Sequence, residues 1–326
     1  MATGVLVPED RDDVASFAER AESLGYDAVW TPELWGRDAF VALTAAAKRT
    51  ESIDLGTAIV NAYGRSPATL AQAAATVATE AGGDRVRLGI GTSTAKAIED
   101  LHGMAFDNPP RRLHETIELA KKFLQEDGRV AYEGTLFDVQ DFPALDHDIP
   151  VYAAALGASN RRATGRVADG WLPHNIPFDK LDDAYQTIVE TAEEAGRDPN
   201  DITVSPYVPG AVSDDPEEAR AAIRNHLAYY LGRSDGYKNA AAQSFPEEAD
   251  TVASAWRDGD RDAAREAVTD EMMDLLAFVG TPAEARERLD EVAGYDVVDD
   301  VIVTIPVGSS DELTDRTVRE LSPSER

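Results

Sequence analysis

Five short stretches of this sequence carry residues able to bind a ligand or move a proton. They are Glu33-Leu34-Trp35-Gly36-Arg37, Asn61-Ala62-Tyr63-Gly64-Arg65-Ser66, Gly91-Thr92-Ser93-Thr94, Leu156-Gly157-Ala158-Ser159-Asn160 and His174-Asn175. Glu33 can act as a general base or anchor a ligand by hydrogen bonds; a helix cap or a solvated side chain explains it as well. His174, beside Trp171 and Pro173, can donate a proton or simply pack in its loop. Leu156 to Asn160 opens a helix with small residues, so free backbone N–H groups and the positive end of the helix dipole could hold a phosphate, with Arg161 and Arg162 nearby. A serine N-cap accounts for Ser159 equally well, and Gly91-Thr92-Ser93 shares that ambiguity. No Ser-His-Asp order and no carboxylate pair stands out, which points to an enzyme whose cofactor carries the chemistry.

Those stretches need a scaffold, and the chain supplies strand-like and helix-like segments in regular alternation, the mark of βα units and a parallel sheet. Strands centred near residues 5, 29, 56, 88, 153, 171, 205 and 303 make eight, matching a TIM (β/α)8 barrel, an α/β fold whose active site lies in the loops after the strands. All five stretches follow predicted strands. An open doubly wound sheet is the rival, but no GxGxxG follows the first strand. Residues 130–139 alternate about Glu133-Gly134 as a hairpin insertion, and residues 226–280 read as a helical insertion within one domain spanning 1–326. Gly25 and Gly82-Gly83 stand where helices need a left-handed stop, and Trp30, inside a strand, is expected to fill core.

Composition removes other classes. Acidic residues number 61 against 31 basic, for a net charge of −30, so a phosphate backbone would be repelled and nucleic acid is not expected as a partner. Six of the basic residues are lysines, and the acids decorate nearly every predicted helix. That pattern suits a halophilic protein, because high salt shortens the screening length to a few ångström. Without cysteine, thiolate chemistry and Cys-ligated metals are excluded, and the five histidines form no HxxxH pattern, so no metal is expected. No apolar run approaches the roughly 20 residues that cross a membrane, and no signal segment precedes Val5-Leu6-Val7, so a cytoplasmic protein with no membrane partner is expected.

The run from Gly25 to Phe40, with Arg87 to Thr92, Ile149 to Gly157 and Ala168 to Pro173, resembles the luciferase-like monooxygenase superfamily. Within it the chain is similar to the branch that uses coenzyme F420, a 5-deazaflavin, such as methylenetetrahydromethanopterin reductases. The resemblance implies a barrel with insertions, a small-molecule substrate, and a homodimer. It also implies a non-prolyl cis peptide at Ala58-Ile59 behind the deazaflavin ring, with Asn61 as a polar contact near that ring. Glu33 falls where relatives hydrogen-bond the cofactor, Thr92, with Ser93 beside it, where they place a cofactor-binding Thr, and Ala155-Leu156-Gly157-Ala158 where backbone amides hold its phosphate. Two departures count against alcohol dehydrogenation of a sugar phosphate: Leu34 and Thr94 stand where that activity has a catalytic His and Glu, and neither can take a hydroxyl proton. The expected activity is hydride transfer between F420 and a pterin- or folate-type one-carbon carrier or an activated double bond. An FMN-dependent monooxygenase and a non-catalytic flavin-binding protein are the alternatives.

Overall fold

A computed structural model describes residues 2–83 and 85–325; Met1, Asp84 and Arg326 lie outside it. Strands at Ala2–Leu6, Ala28–Thr31, Asp54–Thr57, Val86–Gly91, Val151–Ala154 and Gly170–Trp171 pair in parallel, each with the next. The seventh strand has two parts, split at Ser205-Pro206, and the split closes the barrel. Thr203–Val204 pairs with the sixth strand, while Tyr207–Val212 pairs with the eighth, Asp300–Thr304, which pairs back onto the first. The eight expected strands are therefore the eight staves. The third ends early: the Ala58–Ile59 peptide is cis, and Val60–Asn61 resumes pairing with the fourth strand.

Side chains of alternate residues face in, as the two-residue period of a strand requires. Inside, Ala28, Trp30, Tyr152, Leu172, Tyr207 and Ile302 form one apolar cluster. Trp30 is 1 % exposed and meets the Tyr152 ring edge-on at 5.6 Å between centroids. It fits because its neighbours on both flanking strands are glycines. A Cβ at Gly4 would lie 2.7 Å from the indole nitrogen, and one at Gly56 2.2 Å from the ring. At the opening formed by the strands' N-terminal ends, Arg87 bonds Asp54 at 2.9 Å and Asp300 at 3.0 Å, which ties three strands together where no ligand is needed.

Helices pack outside the staves, and sequence sets their ends. Asp13, Asp38, Ser66 and Ser310 accept backbone N–H bonds as N-caps of the helices beginning at Val14, Ala39, Pro67 and Asp311. Gly25 and Gly82 take the expected left-handed conformation, with φ of 78° and 76°. The hairpin is present as Arg129–Glu133 against Asp138–Pro143. After the seventh strand come helices Pro216–Arg233, Asp235–Ala241, Pro246–Arg257, Arg261–Glu266 and Asp270–Leu276. The expected helical insertion over 226–280 ends its last helix at Leu276. Phe278–Gly280 pairs instead with Gly210–Val212, because Phe278 is fully buried against Phe178, their rings stacked at 6.0 Å. No described helix is long and apolar enough to cross a membrane.

Candidate active site

The C-terminal ends of the staves form a mouth with two unlike sides. Along strands three to five it is apolar. Ala58 and half-buried Ile59 join the interior cluster with Ala154, and a Cβ on Gly91 would lie 2.9 Å from Ile59 Cδ1 and 3.3 Å from Ala154 Cβ. Glycine at 91 thus lets Ile59 lie flat against the fourth strand. Thr92, 8 % exposed, sits at the end of that strand, its hydroxyl in only a long 3.5 Å contact to Ser93 O, and Ser93 turns the chain with φ of 57°.

Next to this side the fifth strand runs out at Ala154 and a helix, Ala158–Val167, begins. The Ala155 side chain packs away from the mouth, and its carbonyl accepts the Trp171 indole N–H at 2.8 Å. Gly157 is the N-cap, offers no side-chain cap bond, and faces open space. The first carbonyl bonds go from Asn160 and Arg161 to Gly157 O, so the N–H groups of Ala158 and Ser159 point outward, as helix geometry requires. Two buried atoms beside them, Asn160 Oδ1 and Arg161 Nε, have no partner. Burial and neighbouring Arg162 hold the Arg161 guanidinium below its usual pKa, the signature of a cation without a counter-charge. Arg161 donates Nη1 to Leu156 O at 2.8 Å but meets no carboxylate among the described residues, and in a chain with twice as many acids as bases such a cation at an open helix N-terminus fits a phosphate or another anion.

Two sequence expectations change here. Glu33 does not present a free carboxylate: Arg65 grips it bidentately at 2.5 and 3.0 Å, and its Oε2 also accepts the Ala39 N–H at 2.9 Å. Both oxygens thereby hold the third loop to the start of the second helix. Asn61 is spent likewise. Its Oδ1 accepts the N–H groups of Tyr63 and Gly64 at 3.0 and 2.6 Å, and its amide nitrogen lies 3.2 Å from His102 Nε2. Asx-turn chemistry and an ion pair therefore explain most of the polar loop 61–66. Thr94 Oγ1 caps the N–H of Ala97 at 3.2 Å.

Across the mouth, strands six to eight present a polar and aromatic wall. The sixth strand continues through His174, which bridges Tyr207 in parallel; His174 follows inward-facing Leu172 by two residues and so faces in too. Tyr207, Tyr230 and Tyr237 surround it at 5.5, 4.9 and 5.2 Å between ring centroids, all steeply tilted, and His226 lies 6.4 Å away. Sequence reasoning missed this group, although His226 and Tyr230 stand four residues apart on one helix face. Trp35, 58 % exposed, lies outside the wall under Arg233.

Burial lowers the pKa of both His174 and His226 to about 3, and His174 adds to the effect on His226. Both rings are neutral at pH 7, so His174 meets a ligand as a neutral imidazole. A pH effect on stability follows. The unfolded chain protonates His226 near pH 6.5, whereas the folded chain does so only near 3, so stability is full above 6.5 and is lost as pH falls between those values. At pH 5 the loss from this 1 % exposed residue is about 2 kcal/mol. Urea unfolding at pH 7 and pH 5 should show that loss in wild type and less of it in His226→Gln.

Comparison with known proteins agrees with the geometry. The sequence profile described as luciferase-like monooxygenase matches residues 2–297. The chain is 28 % identical to a 5,10-methylenetetrahydromethanopterin reductase of Methanolobus tindarius over 92 % of each chain. It is 26 % identical to a putative coenzyme F420-dependent oxidoreductase of Mycobacterium tuberculosis, covering 96 % of this chain and 94 % of that one. The solved structure of a coenzyme F420-dependent tetrahydromethanopterin reductase from Methanopyrus kandleri superposes with a TM-score of 0.83 at 25 % identity, over 99 % of this chain and 97 % of the other. A closed eight-stave barrel and a family match over nine-tenths of its length together make this chain a member of the luciferase-like monooxygenase family.

Proposed function

We propose that this protein is a coenzyme F420-dependent oxidoreductase acting on a small organic substrate with a reducible C=N or C=C bond, a pterin- or folate-type one-carbon carrier among them. The observation that carries the reading is the pairing of a flat apolar shelf with an anion cradle on adjacent strands. F420 needs both, since it joins a tricyclic ring to a phosphodiester tail; when bound it supplies a two-electron carrier that exchanges hydride with the substrate. Ala58, Ile59 and Ala154 would back the ring, Thr92 and Ser93 would border it, and the amides of Leu156 to Ser159 with Arg161 would hold the phosphate. The chain's own part is placement: the shelf fixes one side of the ring, and the wall of His174, Tyr207 and Tyr230 bounds the space left on the other. The relatives with 26 and 28 % identity, named for F420 or for methylenetetrahydromethanopterin, support this choice over FMN. A cytoplasmic homodimer working in high salt completes the proposal.

Fluorescence titration in molar salt tests it. F420 is expected to bind in the micromolar range, with FMN at least about tenfold weaker. Tight FMN binding without F420 binding would transfer the case to a monooxygenase.

A further inference from the structure

We propose that His226 is a substrate-binding residue whose Nε2–H is a preset hydrogen-bond donor to an uncharged carbonyl- or imine-bearing ring. The inference deepens the reading above and rests on it for the location of the substrate. Its basis is the fixed tautomer. Val307 donates its backbone N–H to His226 Nδ1 at 3.2 Å, so the proton of the neutral ring sits on Nε2. His226 is 1 % exposed, and that Nε2 has no partner. A histidine needed only to accept from Val307 would leave a buried donor unsatisfied, which folded proteins seldom tolerate without a water or a ligand to accept it.

The donor is not isolated. His174 Nε2, the Tyr207 hydroxyl and Thr304 Oγ1 are also buried without partners; His174 follows the sixth strand, Tyr207 opens the second part of the seventh and Thr304 ends the eighth. These four orphaned polar atoms lie on the wall that bounds the mouth, and neighbouring Asn175 leaves both of its amide atoms without a partner as well. Charge defines what they accept. The wall itself holds imidazoles and phenols, all uncharged at neutral pH. The arginines at its rim already face carboxylates: Arg37 bonds Pro8 O and Glu9 O through Nη2, leaves its buried Nη1 without a partner and is attracted to Asp12, Glu9 and Asp10, and Arg233 bonds the Tyr229 hydroxyl and is attracted to Glu9. A carboxylate or phosphate pressed against this wall would be buried without a cation. An uncharged ring with an acceptor atom meets a donor, and the steeply tilted tyrosine rings enclose its body.

The test uses the full-length, ligand-free chain labelled with 15N-histidine, and the probe is cyclohexanone, with cyclohexanecarboxylate as its charged counterpart of similar shape. Cyclohexanone is expected to shift the His226 Nε2 resonance saturably, and cyclohexanecarboxylate to leave it unmoved. His226→Phe should weaken ketone binding at least about tenfold. His226→Gln, which can accept from Val307 and still donate, should stay within about threefold of wild type. F420 titration of each variant checks its fold and leaves the two proposals separable, because the ketone measurement is made without F420. Three results overturn the inference: no shift with 50 mM ketone (about the weakest affinity of interest), equal ketone affinity in His226→Phe, or equal binding of the carboxylate at the same resonance.

Discussion

Replacing Gly157 with aspartate is expected to weaken F420 binding about 30- to 100-fold while leaving the fold slightly more stable. Gly157 lies at φ −81°, ψ 150°, an extended conformation open to any residue, and a Cβ there meets nothing within 4 Å. Aspartate is a favoured N-cap, so it gains a few tenths of a kcal/mol over glycine by accepting one of the free first-turn N–H groups. The same carboxylate occupies the place of the bound anion and repels it. Losing about two charge-assisted hydrogen bonds, partly offset by water, costs about 2 to 2.7 kcal/mol of binding, hence the expected factor. Gly157→Ala, which adds bulk without charge, should stay near wild type. Fluorescence titration gives the dissociation constants and urea unfolding the stability; an aspartate variant that binds F420 within threefold of wild type would remove the cradle from the cofactor site.

The second large effect is on folding. Arg65→Met should destabilise the protein by about 2 to 3 kcal/mol, because it strands a carboxylate that is only 10 % exposed. Arg65 holds Glu33 with two bonds, reaches Asp38 at 2.6 Å and lies 5.3 Å from the centre of the Phe40 ring. The full cost of breaking a buried pair, about 3 to 5 kcal/mol, is reduced here because Arg65 is itself about one-fifth exposed and the Ala39 N–H stays on Glu33. Arg65→Lys should recover less than half of the loss, since an ammonium cannot reproduce the two-pronged grip. Equilibrium unfolding at constant salt measures both variants, and a loss under about 0.5 kcal/mol for methionine would show the pair to be dispensable.

Much of this protein was legible in its residues because the relevant forces are local. Apolar runs such as Val301-Ile302-Val303 and the helices between them announce staves and covering layer, and Gly25 and Gly82 end helices where only a left-handed residue fits. Gly157 at the head of a helix is legible for the same reason, since an uncapped N-terminus exposes N–H groups whatever surrounds it. The uses of Glu33 and Asn61 were not legible. A carboxylate after a strand looks the same in sequence whether it meets a ligand or an arginine, and its partner, Arg65, lies 32 residues away.

Sequence by itself determined the eightfold repeat, the acidic surface and the loops facing one end, because periodicity, composition and chain order need no knowledge of neighbours. Only the tertiary structure decided which polar groups remain unpaired, since that depends on contacts across the barrel. Closure through the divided seventh strand sets His174 beside Tyr207, and the helix that follows brings His226 to them with its proton already assigned by Val307.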